Sequence, residues 1–284
     1  MSSTLDLATR LSVIVEAQQQ ILAHVTDPAE LMNVAVRQTQ RITDGDGAAI
    51  EEVEGGELVY RAVSGRAVAG PSLRLPIDNS LSGAALHRVR SLRCDDVETD
   101  KRVDAEACRK LGIRSMIVAP LMHGDAPSGV LQTFSEQPKF FDDLDSYSVE
   151  LLAGMISVAL MLAAEFRRRQ ASEERYRLLF EKNVAGVFRT TRDGRILDFN
   201  DAFAAYLGYD SRDELLAQQS WDLYPQRSDR EQLLSRLLRE QAITNLALHL
   251  KKKDGSDVHG IMNVGIIPGD TGDELQLLGT FVPG

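Results

Sequence analysis

Leu151-Leu152-Ala153-Gly154-Met155-Ile156-Ser157-Val158-Ala159-Leu160-Met161-Leu162-Ala163-Ala164 is an uncharged run bracketed by Glu150 and Glu165 and followed by Arg167, Arg168 and Arg169. It lies within Asp143 to Asn183, which reads as one long helix joining two domains. The run is shorter than the roughly 18 residues a bilayer span needs, so the expectation is burial by protein. Leu151, Met155, Val158 and Leu162 follow the four-three-four spacing of a coiled-coil seam. The same register continues through Glu165, Arg169 and Ser172, then Tyr176 and Leu179. The seam is therefore apolar, then polar, then apolar, and it predicts a homodimer with a weak middle. The competing reading is a core helix followed by a solvated linker.

The chain has 284 residues, which suits two domains, and its 43% hydrophobic content is ordinary for globular protein. A formal charge of −10 with no basic patch argues against nucleic-acid binding. Two cysteines, Cys94 and Cys108, exclude a disulfide framework and suit a reducing compartment. Met1 to Asp6 has neither a charged nor an apolar signal region. The expectation is a cytoplasmic protein without membrane contact.

Working outward, residues 5–25 predict a helix, with Leu7, Leu11, Ile14, Ile21 and Val25 on one stripe around Gln18. Asp27-Pro28 starts a second helix, Ala29 to Ile42. Strands are predicted at Ala48 to Val53 and Glu57 to Val63 around Glu54-Gly55-Gly56, and at Leu73 to Pro76. A short helix, Ser80 to Arg88, an extended piece, Leu92 to Asp95, and a charged stretch, Asp96 to Lys110, follow. Ser115 to Met122 and Gly129 to Phe134 are two apolar strands, after which either Asp142 or Asp143 can cap the long helix. Further on, Arg230 to Glu240 is helical, and Asn245 to Lys252, Val258 to Ile267 and Glu274 to Val282 are strands. Their turns are Lys253-Asp254-Gly255-Ser256 and Pro268-Gly269-Asp270-Thr271-Gly272. The fold class is α+β in two domains, each a mostly antiparallel sheet with flanking helices. The division is an N-terminal helix at 1–25, a first domain at 26–165, a helical linker at 166–182 and a second domain at 183–284.

Ser80-Leu81-Ser82-Gly83, Asp95-Asp96-Val97, Gly112-Ile113-Arg114-Ser115, Ala119-Pro120-Leu121, Gly129-Val130-Leu131 and Phe141 together resemble a GAF domain. Ser172 to Glu181, the hairpin Val187 to Phe199 about Asp193-Gly194, Asn200 and Leu207-Gly208-Tyr209 resemble the opening of a PAS domain. These resemblances imply the sensory region of a bacterial-type signalling protein, usually upstream of a histidine kinase or a cyclic-dinucleotide enzyme. They also imply an output motif after the last strand, where this sequence reads Gly279-Thr280-Phe281-Val282-Pro283-Gly284. The output is therefore expected in a missing domain or a separate partner.

Such domains are platforms, so function rests on the site. Covalent bilin is argued against, because the family's Cys-His position holds Val103-Asp104. Haem is argued against, because the GAF axial position holds Arg114 and Pro225 to Gln241 contains no His. A flavin adduct lacks its cysteine after Asn200. The cyclic-nucleotide pattern is half present in Asp100-Lys101, Phe141 and Asp145-Ser146. Cys108 lies near the reactive thiol of sulfoxide-reducing GAF enzymes, with Cys94 as a substitute partner and Arg102, Arg109 and Lys110 available to lower its pKa. No cofactor is predicted. An unknown small ligand is expected, in a GAF pocket of Cys94, Arg102, Cys108, Arg114 and Ser115, or in a PAS pocket of Phe188, Phe199, Phe203, Tyr206, Trp221 and Tyr224. Three functions stand open: a non-enzymatic sensory module, a cysteine redox switch or sulfoxide reductase, and a ligand-free dimerisation scaffold.

Overall fold

The computed structural model describes residues 7–66, 73–269 and 274–284. The side chain of Leu7 and the turn read at Asp270-Thr271-Gly272 lie outside that set. The chain divides into two compact units, residues 1–169 and 170–284, so the boundary falls within the polar stretch of the long helix.

In the first unit α1 is Leu7–Leu22, α2 Pro28–Thr43, β1 Gly47–Glu54, β2 Glu57–Gly65, β3 Arg74–Pro76 and α3 Leu81–Arg88. Next come β4 Leu92–Cys94, α4 Ala105–Lys110, β5 Ser115–His123 and β6 Ala126–Ser135, and α5, Asp143–Glu181, leaves the unit. The sheet runs β3-β2-β1-β6-β5-β4, antiparallel throughout. Asp27 caps α2 by accepting from the Ala29 and Glu30 amides, with Pro28 in the first turn, where its missing N–H costs nothing. Leu31, Val34, Ala35 and Ile42 of α2 join Ile14, Ala17 and Ile21 of α1 and Val149, Leu152 and Ile156 of α5 on one sheet face. Leu81, Ala85 and Leu86 of α3 cover the other face with Val97 and Ile113. The sequence stripe on α1 is corrected: Ile14 and Ile21 point inward with Ala17, whereas Leu11, Val15 and Leu22 are exposed.

Helix α5 starts with a reciprocal cap, in which the Asp145 amide donates to Asp142 and the Asp142 amide to Asp145. Asp145 also accepts from Arg10 at 2.6 Å in a buried pair that fixes α1 to the start of α5. Deeper in, Leu152, Ala153, Ile156, Ala159 and Ala163 face the sheet. Exposed positions 147, 151, 154, 158, 161 and 165 alternate four and three along the opposite side. Leu151, Val158 and Leu162 thus stand outside as the seam requires, but Met155 packs partly against its own core and Gly154 takes the exposed place. Glu165, Arg169, Ser172, Tyr176 and Leu179 are exposed. An 18-residue window of α5 is apolar enough to cross a membrane by length and composition, which the shorter uncharged run conceals; 39% of that window is buried.

The second unit holds β7 Gly186–Thr191, β8 Ile196–Phe199, α6 Asp201–Leu207, α7 Arg212–Leu216, a 3₁₀ turn Ser220–Leu223 and α8 Arg227–Glu240. It closes with β9 Ala242–Lys251, β10 Asp257–Pro268 and β11 Leu275–Pro283, in sheet order β8-β7-β11-β10-β9. Asn200 is its polar hub. Fully buried, its Oδ1 accepts from the Val187 and Phe203 amides, and its Nδ2 donates to the carbonyls of Phe180 and Ala185 at 2.9 Å and Asn183 at 3.2 Å. One carboxamide therefore ties the end of α5 to β7 and α6.

Asn200→Ala strands several buried backbone groups at about 1–3 kcal/mol each. The expected result in urea is an early transition of the second unit, by about 3 kcal/mol or more, with the first unit's transition unmoved. A loss below about 1 kcal/mol would remove Asn200 as the hub.

Candidate functional site

Strand phase creates the site. Ala48 and Ile50 of β1 face the long-helix side, so Glu51 faces α3 and α4. Ile50 pairs with Ala62 and Glu51 with Tyr60, which leaves Arg61 as a one-residue bulge in β2. The bulge turns Leu58 and Tyr60 to Glu51's face while Ala62 stays on the other. On β6, Val130 and Phe134 mark the same face, and Gln132 lies between them. Ser80 caps α3 by accepting from the Gly83 amide. Gly83 admits no side chain, since a Cβ would lie 1.9 Å from the Ile77 carbonyl oxygen. That close seat places Ser82 over the sheet.

Glu51, Tyr60, Ser82, Gln132, Asp104 and Cys108 line a cavity of ≈ 70 Å³, walled by Leu58, Leu81, Leu111, Ile113 and Met116. Glu51 is 2% exposed, and its Oε2 has no hydrogen-bond partner. Burial raises its pKa, against the smaller opposing effect of the Tyr60 and Ser82 hydroxyls. Tyr60 accepts from Gln132 Nε2 at 2.9 Å, and burial followed by the Glu51 charge pushes its pKa up. Asp104 is the N-cap of α4, accepting from the Glu106 and Ala107 amides. The charged stretch of sequence concealed this helix.

Of the five GAF residues singled out from sequence, Cys108 lines this cavity and the other four do not. Arg102 pairs with Asp100 at 2.5 Å and donates to the Arg93 carbonyl. Arg114 forms a two-pronged pair with Asp96. The Ser115 hydroxyl donates to the Gln137 carbonyl, and Cys94 is buried in the apolar cluster beside α3. The expected activation of Cys108 is overturned. Arg102 is held by Asp100, Arg109 by Glu98 and Lys110 by Glu106. Burial, then Asp104 and Glu98, push the Cys108 thiol up to about 11. Burial and Asp100 push Cys94 up to about 12.

In the second unit Phe188, Phe203 and Tyr224 line a cavity of ≈ 20 Å³ with Thr190, Ser220 and Arg230. That is room for one or two waters. The remaining aromatics serve elsewhere: Phe199 is core beneath the Arg212 guanidinium, Tyr206 donates to the Val184 carbonyl, and Trp221 packs on Gly194 and Arg227. Asp145, from the half nucleotide pattern, pairs with Arg10. Among the described residues no group of three or more His, Cys, Asp or Glu converges as a metal site.

The chain thus holds two antiparallel α+β domains, the first with a cavity beneath α3 and α4. Residues 25–161 match the GAF-domain family model and residues 184–282 the PAS-domain model, so the chain is a GAF domain followed by a PAS domain. No curated protein matches it. Among solved structures, free methionine-R-sulfoxide reductase from Neisseria meningitidis, in complex with its substrate, aligns at 23% identity and TM-score 0.51, over 60% of this chain and 96% of that one. The phycoerythrobilin-bound GAF domain of a cyanobacterial phytochrome aligns at 16% identity and TM-score 0.48, over 56% and 97%. The GAF domain of an Acinetobacter phosphoenolpyruvate-protein phosphotransferase aligns at 15% and 0.46, over 55% and 97%. The first of these likenesses supports the fold of the first unit and nothing finer.

With thiol pKa values near 11 and 12, both cysteines are almost wholly protonated at pH 8. Their reaction with a disulfide reagent is expected to be at least about a hundredfold slower than that of free cysteine, whose thiol titrates near 8.5. A rate like that of free cysteine would show an activated thiol.

Proposed function

We propose that this chain is a sensory and regulatory module in which occupancy of the first domain's cavity biases how α5 packs against α5 of a second copy. The observation that carries this reading is the cavity itself, a pocket holding a buried carboxylate oxygen with no hydrogen bond. Natural cores rarely keep such a group without use. The second domain, its cavity nearly filled by side chains, transmits rather than receives. It passes the change to a kinase or another cytoplasmic signalling partner, attached or separate, and the mechanism is a shift between two helix packings. Nucleic acid and membrane are not partners in this scheme.

The sulfoxide-reductase reading has Cys108 on the cavity in its favour. It has against it the raised pKa of both thiols and the lack of a second thiol among the lining residues. A ligand-free scaffold leaves the orphaned oxygen of Glu51 unexplained.

The exposed stripe on α5 sets the test. Tyr147 is 66% exposed and Leu151 54%, with Val158 and Leu162 beyond them. Light scattering on the purified chain is expected to give twice the chain mass, and Leu151→Arg with Val158→Arg the single mass with folded domains. A wild-type monomer at micromolar concentration would refute the paired-helix mechanism.

A further inference from the structure

We propose that the GAF cavity takes a small organic ammonium ion, a primary amine on a short apolar tail, whose N–H group donates to Glu51 Oε2. The inference rests on the reading of this cavity as the sensor pocket and adds the chemistry of what enters it. Four observations converge. First, Glu51 is buried, and although the Tyr60 and Ser82 hydroxyls lie beside its carboxyl group, its Oε2 makes no hydrogen bond. Second, among the described residues the lining contains two acids, Glu51 and Asp104, and no Lys, Arg or His. The Asp104 charge disfavours an anionic ligand there, and a cation would supply the counter-charge these acids lack.

Third, the acids are not equivalent. Asp104 already accepts two helix amides, whereas Glu51 has a free oxygen at the polar end. Tyr60 accepts from Gln132, which leaves its own O–H to donate beside Glu51 and orient that end. Fourth, the remaining wall is apolar, with Leu58, Ile113 and Met116 placed for a hydrocarbon tail. A volume of ≈ 70 Å³ holds on the order of five water-sized groups, which suits a chain of four carbons and one nitrogen.

The ammonium also carries a pH signature. The groups facing Glu51 are Tyr60 on β2, Gln132 on β6 and Ser82 on α3, with Asp104 and Cys108 of α4 across the cavity. With no cation among them, burial raises the Glu51 pKa and favours its protonated form. Pairing with an ammonium favours the carboxylate, so binding releases protons where Glu51 titrates. Affinity then falls as pH is lowered through that range.

The test is a titration of the full ¹⁵N-labelled chain, read by TROSY NMR, with n-butylammonium chloride, n-butanol and sodium butyrate in parallel. Butylammonium is expected to produce saturable shifts at the amides of Glu51, Tyr60, Ser82 and Gln132, and the other two to bind at least tenfold more weakly. Glu51→Gln, which keeps the shape and removes the charge, is expected to weaken butylammonium at least tenfold. Butanol or butyrate saturating the same amides as well as the amine, or unchanged amine binding to Glu51→Gln, would overturn the ammonium assignment and leave the sensor pocket standing. Saturation by none of the three at these amides would overturn the assignment and the pocket reading together. The comparison of the three probes on the wild-type chain stands even if the variant does not fold.

Discussion

Helix α5 has more apolar surface than its own sheet can cover. Leu152, Ile156 and Ala159 are buried against that sheet, while Leu151, Val158 and Leu162 remain outside at coiled-coil spacing. Leaving a row of large apolar side chains in water is unfavourable by about 25 cal/mol per Å². That exposed row is the surface on which the proposed helix pairing rests. Further along, the helix loses this character at Glu165, Arg169 and Ser172, where the division between the two units falls. Its last turn is then held by Asn200, which accepts and donates to backbone groups of three elements.

The cavity follows from an equally local cause. A single extra residue, Arg61, lets β2 present Tyr60 where a regular strand would present its neighbour. Glu51, Tyr60 and Gln132 then share one face, and α3 lays Ser82 over them because Gly83 permits the approach. This places a carboxylate in a core that offers it no cation. Burial without a counter-charge disfavours the ionised form of such a group, which is why its pKa is raised.

Much of the architecture was legible in the sequence, because apolar periodicity and Gly-containing turns express it directly. The strands and the long helix belong to that part, whereas Asn200 entered only through the PAS resemblance and its role as hub did not. The site was not, for three physical reasons. Alternation from Ala48 and Ile50 puts Glu51 on the opposite face, whose covering by α3 and α4 no pattern announces, and its partner Tyr60 is brought alongside by a bulge. Arg102 and Arg114 read as pocket residues from sequence, yet Asp100 lies two residues before the first, and the backbone bond from Val97 to Arg114 brings Asp96 to the second. Charge in sequence says nothing of charge already paired. The aromatic residues of the PAS domain were read as one pocket, whereas half of them brace turns and strand ends. On α5 three of the four apolar positions read as a seam, Leu151, Val158 and Leu162, are exposed, while Met155 packs partly against its own core.

The central claim is that the state of the GAF cavity reaches the polar middle of α5. The direct measurement is hydrogen–deuterium exchange of residues 165–172 with and without saturating butylammonium, with the cavity strands followed in the same experiment. The account predicts protection around Glu51 and Tyr60 together with a changed exchange rate across 165–172. Protection confined to the cavity, with 165–172 unchanged, would contradict it and leave a GAF domain that binds without signalling through this helix.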